Sequence, residues 1–478
     1  MNRQEMLDRL PPEWATDLLP EIRKQIRTSR RKVVVLDDDP TGTQTVYDIP
    51  VLTEWSVETL CAELESELPA FYVLTNSRSL SCAEAATLNA TIGHNLLEAR
   101  RRSGREFVVV SRSDSTLRGH FPGEVEALAQ ALQHEFDAWL IIPFFLEGGR
   151  YTIHDIHYVA DGERLVPAGE TEFAQDVVFG YRSSNLRHWV EEKTKGAVRA
   201  DDVASISIDD LRLGGPNRVF EKLSSLRRGS MCVVNAASMR DLQVFVLGLL
   251  HAEAQGKRFL YRTAASFVQV RAGLAPRPLL QHTEFDLTAG NGGLIVVGSH
   301  VPRTTAQVNA LLAGSDVCSL EVPVQALLDD GQLQQEVKRL AQQTDQRLQA
   351  DCNVLLYTSR TLVTGETAER SLDIGRRISE GLVSIVRAIA TRPRFLVAKG
   401  GITSSDVAAY GLGVRRAMVI GQILPGVPVW RLGSESRFPG LTYVVFPGNV
   451  GDAESLLKVV QILSVRSGEQ VKAEEQSR

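Results

Sequence analysis

The stretch Val33-Val34-Val35-Leu36-Asp37-Asp38-Asp39-Pro40-Thr41-Gly42-Thr43 decides the fold. An apolar run rich in β-branched residues reads as a strand with no polar face, so both of its faces must be covered. It stops abruptly at carboxylates, a proline and a Thr-Gly-Thr turn. The same pattern recurs along the chain. Phe71–Leu74 precedes TNSRS, Phe107–Val110 precedes SRSDSTLRG, and Trp139–Ile142 precedes Pro143. Met231–Val234 precedes NAAS, Leu294–Val297 precedes GSH, and Val354–Tyr357 precedes TSR. Phe395–Val397 and Thr442–Phe446 lead into AKGGITSS and PGNVGD. Ala83–Arg101, Gly123–Phe136, Leu333–Leu348 and Ala368–Ala390 read as intervening helices. Fully apolar strands alternating with helices predict an α/β protein built on parallel sheets. In such sheets ligands sit outside the carboxyl ends of the strands, where the polar residues fall here.

The 478 residues exceed the ~250–300 that one hydrophobic core usually organises. Two domains are expected, each a mainly parallel sheet covered by helices, with the active site in the inter-domain cleft. Pro276, Pro278, Gly290, Asn291, Gly292 and Gly293 break any apolar period across Gly273–Gly293, which marks the boundary. The expected division is a helical arm over 1–30, a first domain over 31–280, a second over 281–465 and a flexible tail over 466–478. Hydrophobic residues at 43% and charged residues at 23% are ordinary globular composition. A net charge of −5 gives no reason to expect nucleic acid, and Arg100-Arg101-Arg102 reads as a solvated helix face. The apolar run Ala138–Leu146 is interrupted by Pro143 and falls far short of the ~20 residues of a membrane span. Arg3, Glu5, Asp8 and Arg9 put charge into every turn and leave no apolar core of the signal-peptide kind, so no export signal and a cytoplasmic location are expected. Cys61, Cys82, Cys232, Cys318 and Cys352 are scattered with no CxxC pair, which predicts reduced thiols, without disulfides or zinc.

Three constellations point to chemistry. Asp37, Asp38 and Asp39 repel one another, so the triad makes sense if it holds Mg2+, accepts a substrate proton or binds hydroxyls, with Thr41-Gly42 approaching the ligand. Arg112, Ser113, Asp114, Ser115 and Arg118, joined by Arg78, suit an anionic polyol, because guanidiniums grip a carboxylate while Asp and Ser fix hydroxyls. Gly298-Ser299-His300, Lys399–Asp406 and Phe446–Asp452 are glycine turns of the kind that offer backbone amides to phosphate, although no Walker A motif occurs. His154-Asp155-Ile156-His157 lacks a third and fourth ligand at metal spacing.

In order, DDDPTGTQ (37–44), TNSRS (75–79), SRSDSTLRGHFPGE (111–124), YVADGERLVPAGETEFAQD (158–176), GSHVPRTTAQ (298–307), KGGITSSDVA (399–408) and FPGNVGD (446–452) resemble the four-carbon acid sugar kinase family. The resemblance implies an N-terminal acid-sugar domain, a C-terminal nucleotide domain, and phosphorylation of threonate, erythronate or 3-oxo-tetronate by ATP. It places substrate at Asp37, Arg78 and Arg112–Ser115, and ATP at Ser299, Gly401, Ile402, Thr403, Ser404 and Gly448. Ile402 stands where the family more often has Glu. Asp39, Thr41 and Arg118 complete the expected substrate set, and Gly400 the nucleotide set. The mechanism expected is in-line transfer. Arg78, Arg112 and Arg118 hold the carboxylate, Asp38 or Asp114 accepts the hydroxyl proton, and Mg2+ with unassigned ligands bridges phosphate oxygens. The implied partners are the acid sugar and ATP, with no nucleic acid or membrane, and a homodimer is left open. Two alternatives stand beside this one. Asp37-x-Asp39-x-Thr41 also matches the nucleophile motif of haloacid-dehalogenase-type Mg-dependent phosphatases, which leaves the glycine turns unexplained. A non-catalytic sensor of nucleotide and acid metabolite would need no hydroxyl-activating base.

Overall fold

Lys32–Asp37 (β1) is buried along its whole length, with Val33, Val34 and Val35 wholly shielded from solvent. Burying each such side chain contributes ~1.5–3 kcal/mol, enough to make the strand the centre of a sheet. The computed structural model describes residues 2–465 except 134, 135, 288, 289, 361, 362, 364–367 and 449, so the tail expected over 466–478 lies outside the described residues. The chain forms two compact units, Met1–Pro276 and Arg277–Arg478.

The other strands of the first unit are Ile49–Leu52 (β2), Ala70–Leu74 (β3), Phe107–Arg112 (β4), Ala138–Ile142 (β5), Arg150–Ile153 (β6), Ile156–Asp161 (β7), Arg164–Pro167 (β8), Ala204–Ile206 (β9), Ser230–Val234 (β10) and Phe259–Thr263 (β11). Seven of them join β1 in one parallel sheet in the order β2-β3-β1-β4-β11-β5-β10-β9. From β1 the chain crosses to β3 on one side, then returns to β4 on the other. The connections after β1 and β4 therefore diverge, opening a crevice at a topological switch point. The helix Cys82–Ser103 makes this return. It starts where Ser81 and Glu84 cap each other's backbone and ends where Gly104 turns left-handed. Strands β6 to β8 form a separate antiparallel sheet that continuous apolar runs do not signal. The N-terminal segment holds two helices, Arg3–Asp8 and Leu19–Ser29, the second burying Leu19, Ile22 and Ile26.

In the second unit Leu294–Val297 (β12), Cys318–Val322 (β13), Val354–Thr358 (β14), Leu396–Lys399 (β15), Arg416–Leu424 (β16), Val427–Leu432 (β17) and Thr442–Phe446 (β18) lie in the order β13-β14-β12-β15-β18-β17-β16. The first five are parallel; β17 and β16 extend the sheet antiparallel. Again the chain leaves the central strand β12 for one side and returns to β15 on the other. Each unit is thus a mainly parallel sheet covered by helices, as the strand pattern demands.

The expectation of reduced thiols throughout is corrected: Cys318 and Cys352 form a disulfide, with Cα atoms 6.3 Å apart. Cys318 opens β13 opposite Val354 of β14, and Cys352 lies two residues before that partner, so parallel pairing brings together cysteines 34 positions apart. Spacing along the chain holds no trace of this. Cys61, Cys82 and Cys232 are free. No described helix is long and apolar enough to cross a membrane. Non-reducing peptide mapping should recover a 318–352 cross-link, and Cys352→Ser should destabilise the second unit by about 3–4 kcal/mol in denaturant melts.

Candidate active site

The crevice of the first unit is built where β1 and β4 end. Arg112, the last residue of β4, lies in register with Asp37, the last of β1. Its Nη1 donates to Asp37 Oδ1 at 3.0 Å and lies 3.8 Å from Asp38 Oδ1. All three side chains are buried. Arg78 enters from the turn after β3, where Asn76 adopts the left-handed conformation. It donates to Asp38 Oδ1 at 2.6 Å and lies 3.4 Å from Asp39. Two guanidiniums thus separate three carboxylates. Breaking such a buried pair by removing one partner typically costs ~3–5 kcal/mol, because the other charge is stranded.

Each aspartate has a different environment. Burial pushes the Asp37 carboxyl up to about 7; Arg112 opposes the rise, and Asp38 and Asp39 add to it. Burial would raise Asp39 as well, but Arg78 and the Thr41 hydroxyl and amide outweigh it and hold this carboxyl below its ordinary value. Asp39 caps the turn Pro40–Thr43, accepting from Thr41 N at 2.9 Å and Thr41 Oγ1 at 2.5 Å. Desolvation would raise the partly buried Asp114 too, yet Arg118, Arg78 and Thr116 hold its carboxyl well below the carboxylate range. Arg118 Nε donates to it at 2.6 Å, and Arg118 Nη1 lies 3.7 Å from Asp176. Ser113 Oγ donates to Asp38 Oδ2 at 2.6 Å. Ser115 enters through its carbonyl, which is 2.7 Å from His157 Nε2. Desolvation lowers His157 to about 4, so it is a neutral prop for this loop. His154 and Asp155 form a left-handed turn, and Asp155 accepts from Ser205 and Asn235. Arg78, Arg112 and Arg118 are therefore all paired with protein carboxylates.

Arg262 belongs to the same network but escaped the reading of the sequence. It sits near the end of β11, is 2% exposed, and donates to Ser113 Oγ at 3.3 Å and to the Arg118 carbonyl at 2.9 Å. Its signal was a lone cation in the apolar run FLYRT. Glu124, also missed, accepts from Ser77 and Asn89 and steadies the turn that carries Arg78.

The second switch point lies where β12 and β15 end. A Cβ on Gly298 would fall 2.3 Å from Thr403 Oγ1, so only glycine lets the two turns approach. Gly400 has φ +117°, a conformation that side chains rarely adopt, and it packs on Ser299 and Thr403. The turn after β18 joins them through Thr304, whose hydroxyl lies 3.2 Å from Ser299 Oγ and donates to the Gly448 carbonyl at 3.0 Å. Lys399, wholly buried, donates to the Pro447 carbonyl at 2.5 Å and to that of Gly448 at 3.2 Å. Desolvation, aided by Arg303, lowers its ammonium to about 7. Arg360 donates to the Ser299 carbonyl at 2.7 Å. Ser299, Gly400, Gly401, Thr403 and Gly448 thus form one cluster. Ile402, opening the helix Gly401–Asp406, is 52% exposed. Ser404 differs: its hydroxyl donates to the Ala398 carbonyl at 2.7 Å, inside the fold. Among the described residues no group of three or more His, Cys, Asp or Glu side chains is disposed to hold a metal.

Residues 33–271 match a sugar-binding N-terminal domain and 294–456 a nucleotide-binding C-terminal domain. The chain is 24% identical over 377 residues to a D-erythronate kinase of Heliobacterium modesticaldum, covering 75% of this chain and 79% of the relative. Among solved structures it is similar to a Haemophilus influenzae protein of the DUF1537 family, at 20% identity and TM-score 0.59, covering 90% of this chain and all of that one. A Salmonella typhimurium LT2 protein is similar at 16% identity and TM-score 0.63, covering 90% and 98%. These likenesses at low identity show a shared fold.

A Cβ on Gly42 would lie 2.0 Å from Asp37 Oδ2. Gly42→Ala should therefore force the Asp37 carboxylate off Arg112 and destabilise the first unit by about 1–3 kcal/mol in urea melts, with helical circular dichroism retained.

Proposed function

The chain belongs to the four-carbon acid sugar kinase family, whose two domains it matches in order, and from that premise we propose that it transfers the γ-phosphoryl group of ATP to a hydroxyl of a small acid sugar. One observation carries the reading. Two switch points bear complementary chemistry, the first ringed by carboxylates and guanidiniums, the second by glycine turns and hydroxyls. Phosphoryl transfer asks the protein for positioning and charge neutralisation more than for covalent chemistry, and these two sets divide that labour.

On the nucleotide side, the turns at Ser299, Gly400–Thr403 and Gly448 take the ATP phosphates, with Lys399 and Thr304 fixing the last turn from behind. Ser404 serves the scaffold, since its hydroxyl is already used. No described cluster of His, Cys, Asp or Glu side chains forms a dedicated Mg2+ cage.

On the acceptor side, Asp37, Asp38, Ser113 and the surrounding guanidiniums hold the acid sugar, with a four-carbon acid such as D-erythronate the first candidate because the curated relative is named for it. The proton acceptor is drawn from Asp37 and Asp38. Asp114, one of the two bases considered from sequence, is held as a weak base by Arg118, Arg78 and Thr116. Asp37, poised at about 7, is matched to proton transfer near neutral pH.

Coupled ADP release across D-erythronate, D- and L-threonate and 3-oxo-tetronate tests the reading; ATP-dependent turnover of one of them is expected. Background rates across the panel, or ATP-independent hydrolysis of a generic phosphate ester, would replace it with the sensor or the phosphatase. A base must be unprotonated to act, so kcat/KM should fall about tenfold per pH unit below about 7. Asp37→Asn should remove that limb and about 10²–10⁴ of the rate. Asp114→Asn should keep the limb and raise KM for the acid.

A further inference from the structure

The acceptor-side network contains more guanidiniums than its carboxylates engage. Arg78, Arg112 and Arg118 each stand within ion-pair distance of an aspartate. Arg262 donates to carbonyl and hydroxyl oxygens of the 113–118 loop and lies over the Trp189 ring at 5.4 Å, so its guanidinium is taken up by the loop it supports. Arg150 differs from all four. It opens β6, in the small antiparallel sheet, and is half-buried. Among the described residues no carboxylate lies within 4 Å of its guanidinium, and only Nη1 has a protein acceptor, the Gly148 carbonyl. Its Nε is buried with none.

The position of this cation gives its lack of a counter-ion meaning. Arg150 lies over the Phe173 ring at 5.6 Å from the centroid, and Arg118 covers the same ring at 5.2 Å. Asp114, bonded to Arg118, is close enough to act electrostatically on Arg150. A desolvated guanidinium offers five N–H donors in a planar fork, and leaving them unmatched is costly. Two guanidiniums are thus held on one aromatic ring, one paired with aspartates and one that Asp114 and Glu172 reach only from beyond 4 Å, so the second cation has no contact ion pair beside an acid-rich site. That charge suits a small carboxylate; a neutral polyol would leave it uncompensated.

We propose that Arg150 is a specificity-determining residue that, beside Arg118 on the Phe173 ring, receives the carboxylate of the acceptor. The inference rests on the acid sugar kinase reading and deepens it: the substrate is selected as an anion, with its hydroxyls left to the aspartates. Arg150 touches the end of the acceptor remote from the reacting hydroxyl, so its loss weakens binding more than turnover.

The test uses the full-length protein, with the best acid of the erythronate–threonate panel compared against its own primary amide. Arg150→Met should raise KM for the acid about tenfold to a hundredfold, the range of one charge-assisted hydrogen-bonded contact, with kcat changed less than about threefold. The amide should be used as well by the variant as by the wild type, collapsing the acid-to-amide ratio. Arg150→Lys, which keeps the charge without the fork, should recover part of that ratio. Equal losses on acid and amide would make Arg150 merely structural and overturn the proposal, as would an unchanged ratio. A fall in kcat at constant KM would place Arg150 on the transferring phosphoryl group and overturn it too. Failure of the kinase reading looks different: the wild type would turn over no acid of the panel, and the proposal would fall with it.

Discussion

Three consecutive aspartates at the end of a buried strand are tolerable only because two guanidiniums are driven between them. Arg112 comes from the adjacent strand in register with Asp37, and Arg78 from the turn after the strand on the other side. In a region of low dielectric, unpaired carboxylates would protonate or open the structure. Pairing with Arg78 holds Asp39 below its ordinary value and leaves Asp37, the most deeply buried of the three, poised near neutrality. The position of the turns, the close approach of Gly42 and the path of the Ser113–Arg118 loop all follow from satisfying those charges.

The second unit solves a different problem with different means. A site for phosphates must present donors without presenting carboxylates. Here the strand ends carry glycines, hydroxyls and one buried lysine, while the carbonyls of the last turn are tied to Lys399 and Thr304. Carbonyls held inward in this way no longer compete with the amides for the approaching anion. The two units share a topological device, a central strand whose neighbours are reached in opposite directions, and differ in the chemistry placed on it.

Arg78, Arg112 and Arg118, each paired with an aspartate, have little charge left for a ligand. Much of the guanidinium content of the first unit is structural, balancing its aspartates. Recognition of an anion then falls to a cation outside the pairing, carried by a small antiparallel sheet that is no part of the central one. Separating the scaffold charges from the selecting charge lets acceptor preference change without dismantling the core of the site.

The sequence by itself determined the α/β class, the central strands, the polar strand ends and the two-domain division, because apolar periodicity and glycine or proline breaks are local properties of the chain. Asp37–Asp39, Arg78, Arg112–Arg118 and the three glycine turns were legible for the same reason: each is a short run abutting an apolar strand. Only the tertiary structure decided which charges are spent on one another. The Arg78–Asp38, Arg112–Asp37 and Arg118–Asp114 pairs, the inward hydroxyl of Ser404 and the Cys318–Cys352 disulfide depend on strand order and register. Arg262, Arg150, Thr304 and Lys399 gain their roles from neighbours 48 to 149 positions away or from an aromatic ring met through the fold. Pairing energy depends on distance in space and on burial, and neither is written along the chain.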